Sequence, residues 1–195
     1  MSNITFLKNL PNWITAAFKN AYINFESDDT AVYENWGEQQ FMYPYGPKHF
    51  LPADLENLRT LGFYKLQIWK LLEPSESHYD VGRSVAFNFP IDCADDSVIY
   101  AAKDNCIDDI HKTAVDKSKT VSQDIAKKYP YKYSVRYEYN TNFYDSYSME
   151  HPYLVNTSVP HGGHSESNTV RIFWTCSFDS NYTYYDLVDK FQIWQ

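Results

Sequence analysis

The chain has 195 residues, of which 44% are hydrophobic and 22% are charged. This length suffices to bury one core without disulfide or metal staples, and the composition excludes a largely disordered or collagen-like chain. The formal net charge of -8 disfavours duplex nucleic acid as a general partner, because both molecules are anionic. No repeat or Gly/Ser linker divides the chain, so we expect residues 1–195 to form a single domain.

The predicted elements are a helical first part followed by many short strands. Apolar residues at roughly helical spacing predict a helix within residues 5–25, and Pro52 opens a second helical turn. Alternating β-forming residues predict strands at 63–71, 84–89, 97–100, 131–139, 153–157 and 170–178. Residues 101–149 are predicted to hold a helical or irregular insertion, and residues 184–194 a terminal helix. This order predicts a mainly β fold, a sandwich or jelly roll with flanking helices.

The cysteines and the lengths of the apolar runs indicate the cellular compartment in which the protein is expected. Cys93, Cys106 and Cys176 are odd in number and form no CxxC pair, which is typical of reduced thiols in a cytosolic protein. No run approaches the ~20 apolar residues that a membrane helix needs. The N-terminus has no basic leader followed by an apolar segment, so it does not resemble a secretory signal. We therefore expect a cytoplasmic protein with no membrane partner.

Three short motifs near predicted strand ends carry metal-binding and anion-binding side chains. His78 and Asp80 are two residues apart, and in an extended chain this spacing places both side chains on one face. His161 follows a later strand, and Arg171 opens the next strand ten residues further on. The small polar residues around Glu166 predict a hairpin turn that sets His161 and Arg171 roughly opposite each other.

Two imidazoles and one carboxylate can occupy one face of an octahedral ion and leave three positions open. This is the ligand set of non-haem Fe(II) oxygenases. A co-substrate can chelate two of the open positions, and dioxygen can take the third. An arginine about one 2-oxoglutarate length from the ion can hold the far carboxylate of this co-substrate with two parallel hydrogen bonds.

Each residue of this set also has a simpler interpretation. His78 can be an exposed loop histidine, Asp80 can cap a turn, and Arg171 can be a surface arginine. His161 competes with His151 and His164 for the place of the second histidine.

Two further polar residues are candidates for substrate binding. Arg83 forms either a salt bridge on the outside of the barrel or a contact with a substrate carboxylate. Asn88 either faces the cavity or satisfies backbone groups.

The order of these motifs resembles the Fe(II)/2-oxoglutarate-dependent oxygenases. The run HYDVGRSVAFNFPI at 78–91 is similar to the HxDxxRxxAxNxPI stretch of small members, including many encoded by tailed phages. The run LVNTSVPHG at 154–162 is similar to their second ligand strand. Within the superfamily, the chain resembles the aspartyl/asparaginyl β-hydroxylases and the bacterial proline hydroxylases. The resemblance covers roughly residues 60–100 and 150–178.

This resemblance implies a double-stranded β-helix, a cupin-like jelly roll. It implies that His78, Asp80 and His161 bind Fe(II), and that Arg171 binds 2-oxoglutarate. It also implies hydroxylation of an amino acid, free or in a peptide, by O2 with release of succinate and CO2. Related halogenases replace the carboxylate ligand by a small residue, so the presence of Asp80 favours hydroxylation or another oxidation. Many relatives carry Ser or Thr two residues after the arginine, where this chain has Phe173, so a second partner for the 2-oxoglutarate carboxylate is not predicted.

Two other functions stay open at the level of the sequence. One is a jelly-roll recognition module without turnover, and the other is an oxygenase that acts on a nucleotide or nucleobase. The expected partner is a small-molecule or peptide substrate, with no duplex nucleic acid and no membrane, and the oligomeric state is not predicted.

Overall fold

The computed structural model describes residues 2–37, 40–44, 52–72, 75–80, 83–116, 136–165, 167, 169–178 and 181–195. The strands in these residues are β1 Ile4–Phe6, β2 Glu34–Gly37, β3 Gln40–Pro44, β4 Phe63–Leu71, β5 Ser75–His78, β6 Val85–Asp92, β7 Ser97–Ala102, β8 Ala114–Asp116, β9 Arg136–Tyr137, β10 Tyr144–Ser148, β11 Tyr153–Asn156, β12 His161–Ser165 and β13 Arg171–Phe178. The helices are α1 Asn12–Glu26, α2 Pro52–Thr60, α3 Ile107–Ile110 and α4 Tyr184–Lys190. Short 3-10 turns cover Asp104–Cys106, His111–Thr113 and Gln192–Trp194.

The strands form two antiparallel sheets. The major sheet has the order β1-β11-β6-β13-β4-β3-β2, and the minor sheet has the order β10-β7-β12-β5-β9-β8. From β10 to β13 each successive strand lies in the other sheet, which is the way a chain runs in a jelly roll. The prediction of a mainly β jelly roll with flanking helices is confirmed.

The two faces of the major sheet have different environments. Trp174 and Cys176 of β13 lie in a core shared with Phe18 of α1, and the Trp174 indole donates to the Phe18 carbonyl at 3.2 Å. Successive strand residues point to opposite faces, so the odd-numbered residues of β13 point away from the helices. Phe173 accordingly packs against a second apolar cluster, to which both sheets contribute, for example Tyr153 of β11 and Ala101 of β7. Arg171 is on this inner face, between the two sheets.

The helix boundaries differ from the prediction at both ends of the chain. The first helix starts at Asn12, because Ile4–Phe6 pair with β11 as a short strand and Pro11 occupies the helix N-cap. A strand of three residues is too short to show apolar alternation, so β1 could not be predicted from the sequence. The last helix ends at Lys190, and a 3-10 turn over Gln192–Trp194 follows it. No helix in the described part of the chain is long and apolar enough to cross a membrane.

The region predicted as an insertion, 101–149, is only partly helical or irregular. Helical turns occupy residues 104–113, but β8, β9 and β10 extend the minor sheet. β10 pairs with β7 in continuous register, from Tyr144 opposite Ala102 to Ser148 opposite Val98. The sequence of β10 is YDSYS, which lacks apolar alternation, and only Tyr144 of this edge strand is buried. Residues 117–135, including the first part of the predicted strand 131–139, lie outside the described residues.

Candidate metal centre

The minor sheet brings the two predicted histidine ligands together. His161 of β12 lies directly opposite His78 of β5, and their ring centroids are 4.6 Å apart. Asp80 follows β5, and its backbone N–H donates to the Thr157 carbonyl at 3.1 Å. Its carboxylate oxygens lie 3.6 Å from His78 Nε2 and 3.8 Å from His161 Nε2. One ligand atom from each of the three residues fits within 4.8 Å of the others.

Backbone carbonyls orient both imidazoles. His78 Nδ1 lies 2.7 Å from the Glu76 carbonyl oxygen, and His161 Nδ1 lies 3.0 Å from the Val159 carbonyl oxygen. A carbonyl only accepts hydrogen bonds, so each Nδ1 carries the proton and each Nε2 keeps its lone pair. This arrangement fixes the tautomer and the orientation of a histidine that binds a metal.

The charge states of the three side chains suit a cation. Burial, assisted by His161 and Arg136, lowers the pKa of His78 to about 3. Burial also lowers the pKa of His161. Burial favours a higher pKa for Asp80, but the Arg83 guanidinium, together with the two histidines, outweighs burial and holds this pKa well below its usual range. The group therefore offers two neutral imidazoles and one ionised carboxylate at neutral pH, which are the forms that metals require.

Arg83 contacts Asp80 directly. Its Nε donates to Asp80 Oδ2 at 2.7 Å, and its Nη2 donates to the same oxygen. The Arg83 carbonyl accepts from Thr157 Oγ1 at 2.6 Å, which anchors this turn to the end of β11. Arg83 is thus the ion-pair partner of a candidate ligand, and its contact with a substrate carboxylate stays a prediction.

The two competing histidines lie elsewhere. His164 is on the opposite face of β12, where its ring packs 5.9 Å from that of Tyr100 and 5.3 Å from that of Tyr139. His151 is exposed. Among the histidines that the structure describes, it therefore brings His78 and His161 together with a carboxylate.

Arg171 reaches the site in a different way from that predicted. The predicted hairpin between β12 and β13 is wrong, because β12 belongs to the minor sheet and β13 to the major sheet. Turn-forming residues indicate a reversal of the chain, but they do not specify whether the flanking strands share a sheet. The Arg171 side chain is 2% exposed and extends between the sheets to Gly163 of β12. Gly163 and His161 are two residues apart on one strand, so the guanidinium is on the His161 side of the minor sheet.

Gly163 provides the space for this approach. A Cβ at this position would lie 2.8 Å from the Val98 carbonyl oxygen and 3.0 Å from Arg171 Nη1. We expect Gly163→Ala to move the guanidinium and to lower the free energy of unfolding by roughly 1–3 kcal/mol, the usual cost of overpacking. Urea denaturation measures this change, with Ser146→Ala on the exposed edge of the same sheet as the control. Equal stability of the two variants would contradict the tight approach.

A row of buried polar side chains crosses the inner face of the major sheet. Gln67, Thr175, Asn88 and Tyr153 lie opposite one another on four adjacent strands. Thr175 Oγ1 donates to Asn88 Oδ1 at 2.5 Å, and the Asn88 side chain also bonds to the Tyr153 hydroxyl. Asn88 therefore lies on the face that contains Arg171, and its contact with a substrate stays a prediction. In the sequence, only the polar residues inside otherwise apolar strands could have indicated this buried polar row.

Arg136 is a third arginine near the site, beside Arg83 and Arg171. It was not predicted as a site residue from the sequence. It lies on β9 directly opposite His78 of β5. A two-residue strand has no pattern from which this pairing can be predicted.

Comparison with known proteins supports the architecture. No protein-family model matches the chain, and a search of curated proteins found no match. The solved structures with a similar fold include the non-haem α-ketoglutarate-dependent epimerase SnoN from nogalamycin biosynthesis, with a TM-score of 0.54 and 8% identity over 91% of this chain and 79% of that chain. The α-ketoglutarate-dependent carbocyclase SnoK from the same biosynthesis has a TM-score of 0.51 and 12% identity over 91% and 80%.

SnoN has also been solved in complex with Fe3+, α-ketoglutarate and nogalamycin RO, and that structure has a TM-score of 0.53 and 8% identity over 91% of this chain and 79% of that chain. The chain shares the fold of these proteins. At such low identity the likeness concerns the fold, so the chemistry must be argued from the residues of this chain.

Proposed function

We propose that this protein is an Fe(II)/2-oxoglutarate-dependent oxygenase. The observation that carries the proposal is the convergence of His78, Asp80 and His161, whose ligand atoms lie within 4.8 Å of one another inside a jelly roll. The buried guanidinium of Arg171 lies on the same side of the minor sheet as His161. The SnoN and SnoK enzymes with the same fold are described as α-ketoglutarate-dependent, which supports the proposal.

The donor set fits ferrous iron. Two imidazole nitrogens and one carboxylate are the facial ligand set of Fe(II) oxygenases, and iron held there supplies the activation of O2 and the oxidation of 2-oxoglutarate to succinate and CO2. The Glu76 and Val159 carbonyls fix the two imidazoles with each Nε2 near Asp80, so these two nitrogens would be the ligands of the ion. Arg83 keeps Asp80 ionised and fixes one of its oxygens, which is the role of a residue that supports a metal ligand.

Arg171 is proposed to bind the distal carboxylate of 2-oxoglutarate. A buried guanidinium binds a carboxylate strongly, because two parallel hydrogen bonds form in surroundings of low dielectric constant. Phe173 occupies the position where many relatives carry Ser or Thr. We therefore propose Tyr153 as the second hydrogen-bond partner of the distal carboxylate. Tyr153 is 1% exposed and close enough to Arg171 to interact with its charge. Burial raises the pKa of the Tyr153 phenol, so the hydroxyl stays protonated and can donate.

The proposed reaction is hydroxylation of an amino acid, free or in a peptide, in the cytoplasm. The similarity of residues 78–91 to the stretch found in small hydroxylases supports this substrate class. Asp80 occupies the position that halogenases leave open, which favours transfer of hydroxyl over halide. Cys93, Cys106 and Cys176 are free thiols, as a reducing compartment requires.

Turnover without substrate is the first test. Protein supplied with Fe(II), 2-oxoglutarate and air should release succinate slowly, and faster when the correct amino acid or peptide is added. The His78→Ala variant is the control for succinate that forms without the protein site. If the unmodified protein releases no more succinate than this variant with every amino acid and peptide tested, hydroxylation of an amino acid or peptide is ruled out.

A further inference from the structure

Arg136 lies beside the candidate metal site. In its register opposite His78, the two side chains share one face of the minor sheet, with Cβ atoms about 4.5–5.5 Å apart in such pairs. Arg136 therefore projects on the side of the sheet that carries the metal-binding atoms.

The guanidinium of Arg136 has unused hydrogen-bonding capacity. Its side chain is only 19% exposed, and its buried Nε has no hydrogen-bond partner among the described residues. The Glu76 carboxylate approaches this Nε to 3.9 Å, which is an ion-pair distance but is too long for a hydrogen bond. Asp80 is already engaged by Arg83. A buried guanidinium N–H without an acceptor is unfavourable, so an anionic group that enters the site would gain free energy by accepting from it.

Among the described arginines near the site, Arg136 is the one whose Nε still lacks an acceptor. Arg83 is held by Asp80, and Arg171 is proposed to bind 2-oxoglutarate. Glu76 approaches Arg136 only to 3.9 Å, and Asp116 of β8 lies opposite it in the sheet, yet its Nε has no hydrogen-bond partner among the described residues. A carboxylate of the substrate can supply the missing acceptor.

We propose that Arg136 binds the carboxylate of the substrate and thereby selects a carboxylate-bearing small molecule such as a free amino acid. This inference rests on the proposed oxygenase function. The two arginines would bind different carboxylates, Arg171 that of 2-oxoglutarate and Arg136 that of the substrate. Arg171 extends from the major sheet toward β12, whereas Arg136 lies on the strand beside His78 in the minor sheet. A guanidinium suits this task, because its planar fork fits both carboxylate oxygens.

Binding measurements without turnover test the proposal. The full chain is supplied with Fe(II) and 2-oxoglutarate under nitrogen and titrated with the standard L-amino acids and with their C-terminal carboxamides. The unmodified protein should bind at least one amino acid about tenfold to a hundredfold more tightly than its carboxamide, as expected for a hydrogen-bonded charge pair. Arg136→Gln should reduce this ratio to near unity, and Arg136→Lys should retain part of it. Arg59→Gln, in the exposed last turn of α2, should leave the ratio unchanged.

Separate readouts distinguish the two proposals. Binding of 2-oxoglutarate by Arg136→Gln at the affinity of the unmodified protein shows that the fold and the co-substrate site are intact. If the unmodified protein fails to bind 2-oxoglutarate, the proposed function fails. The Arg136 inference alone is overturned if 2-oxoglutarate binds but no amino acid does, or if Arg136→Gln keeps the preference for the carboxylate. A nucleoside monophosphate that binds through Arg136 in place of an amino acid would also overturn the assignment to a carboxylate.

Discussion

Replacing His161 by alanine should weaken the binding of a divalent metal by about two orders of magnitude or more. Residues that only support a ligand typically contribute tenfold to a hundredfold in metal affinity, so a ligand itself should exceed that range. His161 is 6% exposed, and its Nε2 is held toward Asp80 by the bond from Nδ1 to Val159. His164 cannot replace it, because His164 faces the opposite side of β12 and packs against tyrosines.

Anaerobic calorimetric titration with Fe(II) measures this loss. His151→Ala is the matched control, because His151 is exposed and outside the site, and its metal affinity should equal that of the unmodified protein. Circular dichroism shows whether the variants keep their fold. Equal metal affinity of His161→Ala and His151→Ala would contradict the assignment of the metal site.

Replacing Arg171 by alanine should reduce the affinity for 2-oxoglutarate by roughly two orders of magnitude or more. Truncation of one partner of a buried, hydrogen-bonded charge pair costs about 2–5 kcal/mol, and each ~1.4 kcal/mol is a factor of ten in affinity. The side chain is 2% exposed, so water cannot replace the lost contact easily. Arg171→Lys should recover only part of the affinity, since an ammonium group lacks the planar fork.

The measurement is a titration of the anaerobic Fe(II) protein with 2-oxoglutarate. Metal affinity should stay unchanged in Arg171→Ala, because this arginine supports no candidate ligand. Arg59→Ala, on the exposed surface of α2, is the control. A parallel loss of metal and 2-oxoglutarate binding would instead indicate general unfolding, and unchanged 2-oxoglutarate affinity would contradict the proposed role of Arg171.

The parts of the site that the sequence predicts are those set by local geometry. The spacing of His78 and Asp80 forces both side chains to one face wherever the chain is extended, and the structure places their atoms 3.6 Å apart. The alternation along 170–178 likewise places Arg171 and Thr175 on one face of β13. For the same reason the mainly β architecture is predictable from strand-forming runs.

The parts that the sequence misses depend on pairing between distant strands. Arg136 joins the site only because β9 pairs with β5. Neither the length nor the composition of β9 predicts this pairing. Asn88 and Tyr153 become neighbours through the register of β6 and β11, which lie far apart in the chain. The hairpin between His161 and Arg171 is mispredicted because chain reversal and sheet membership are separate properties.

An anomalous diffraction map at the iron edge, from crystals grown anaerobically with Fe(II) and an unreactive analogue of 2-oxoglutarate, tests the metal site and the co-substrate site together. We predict one iron peak within bonding distance of His78 Nε2, His161 Nε2 and an Asp80 oxygen, with the distal carboxylate of the analogue on the Arg171 guanidinium. An iron peak elsewhere, or an analogue bound away from Arg171, would contradict the proposed oxygenase site.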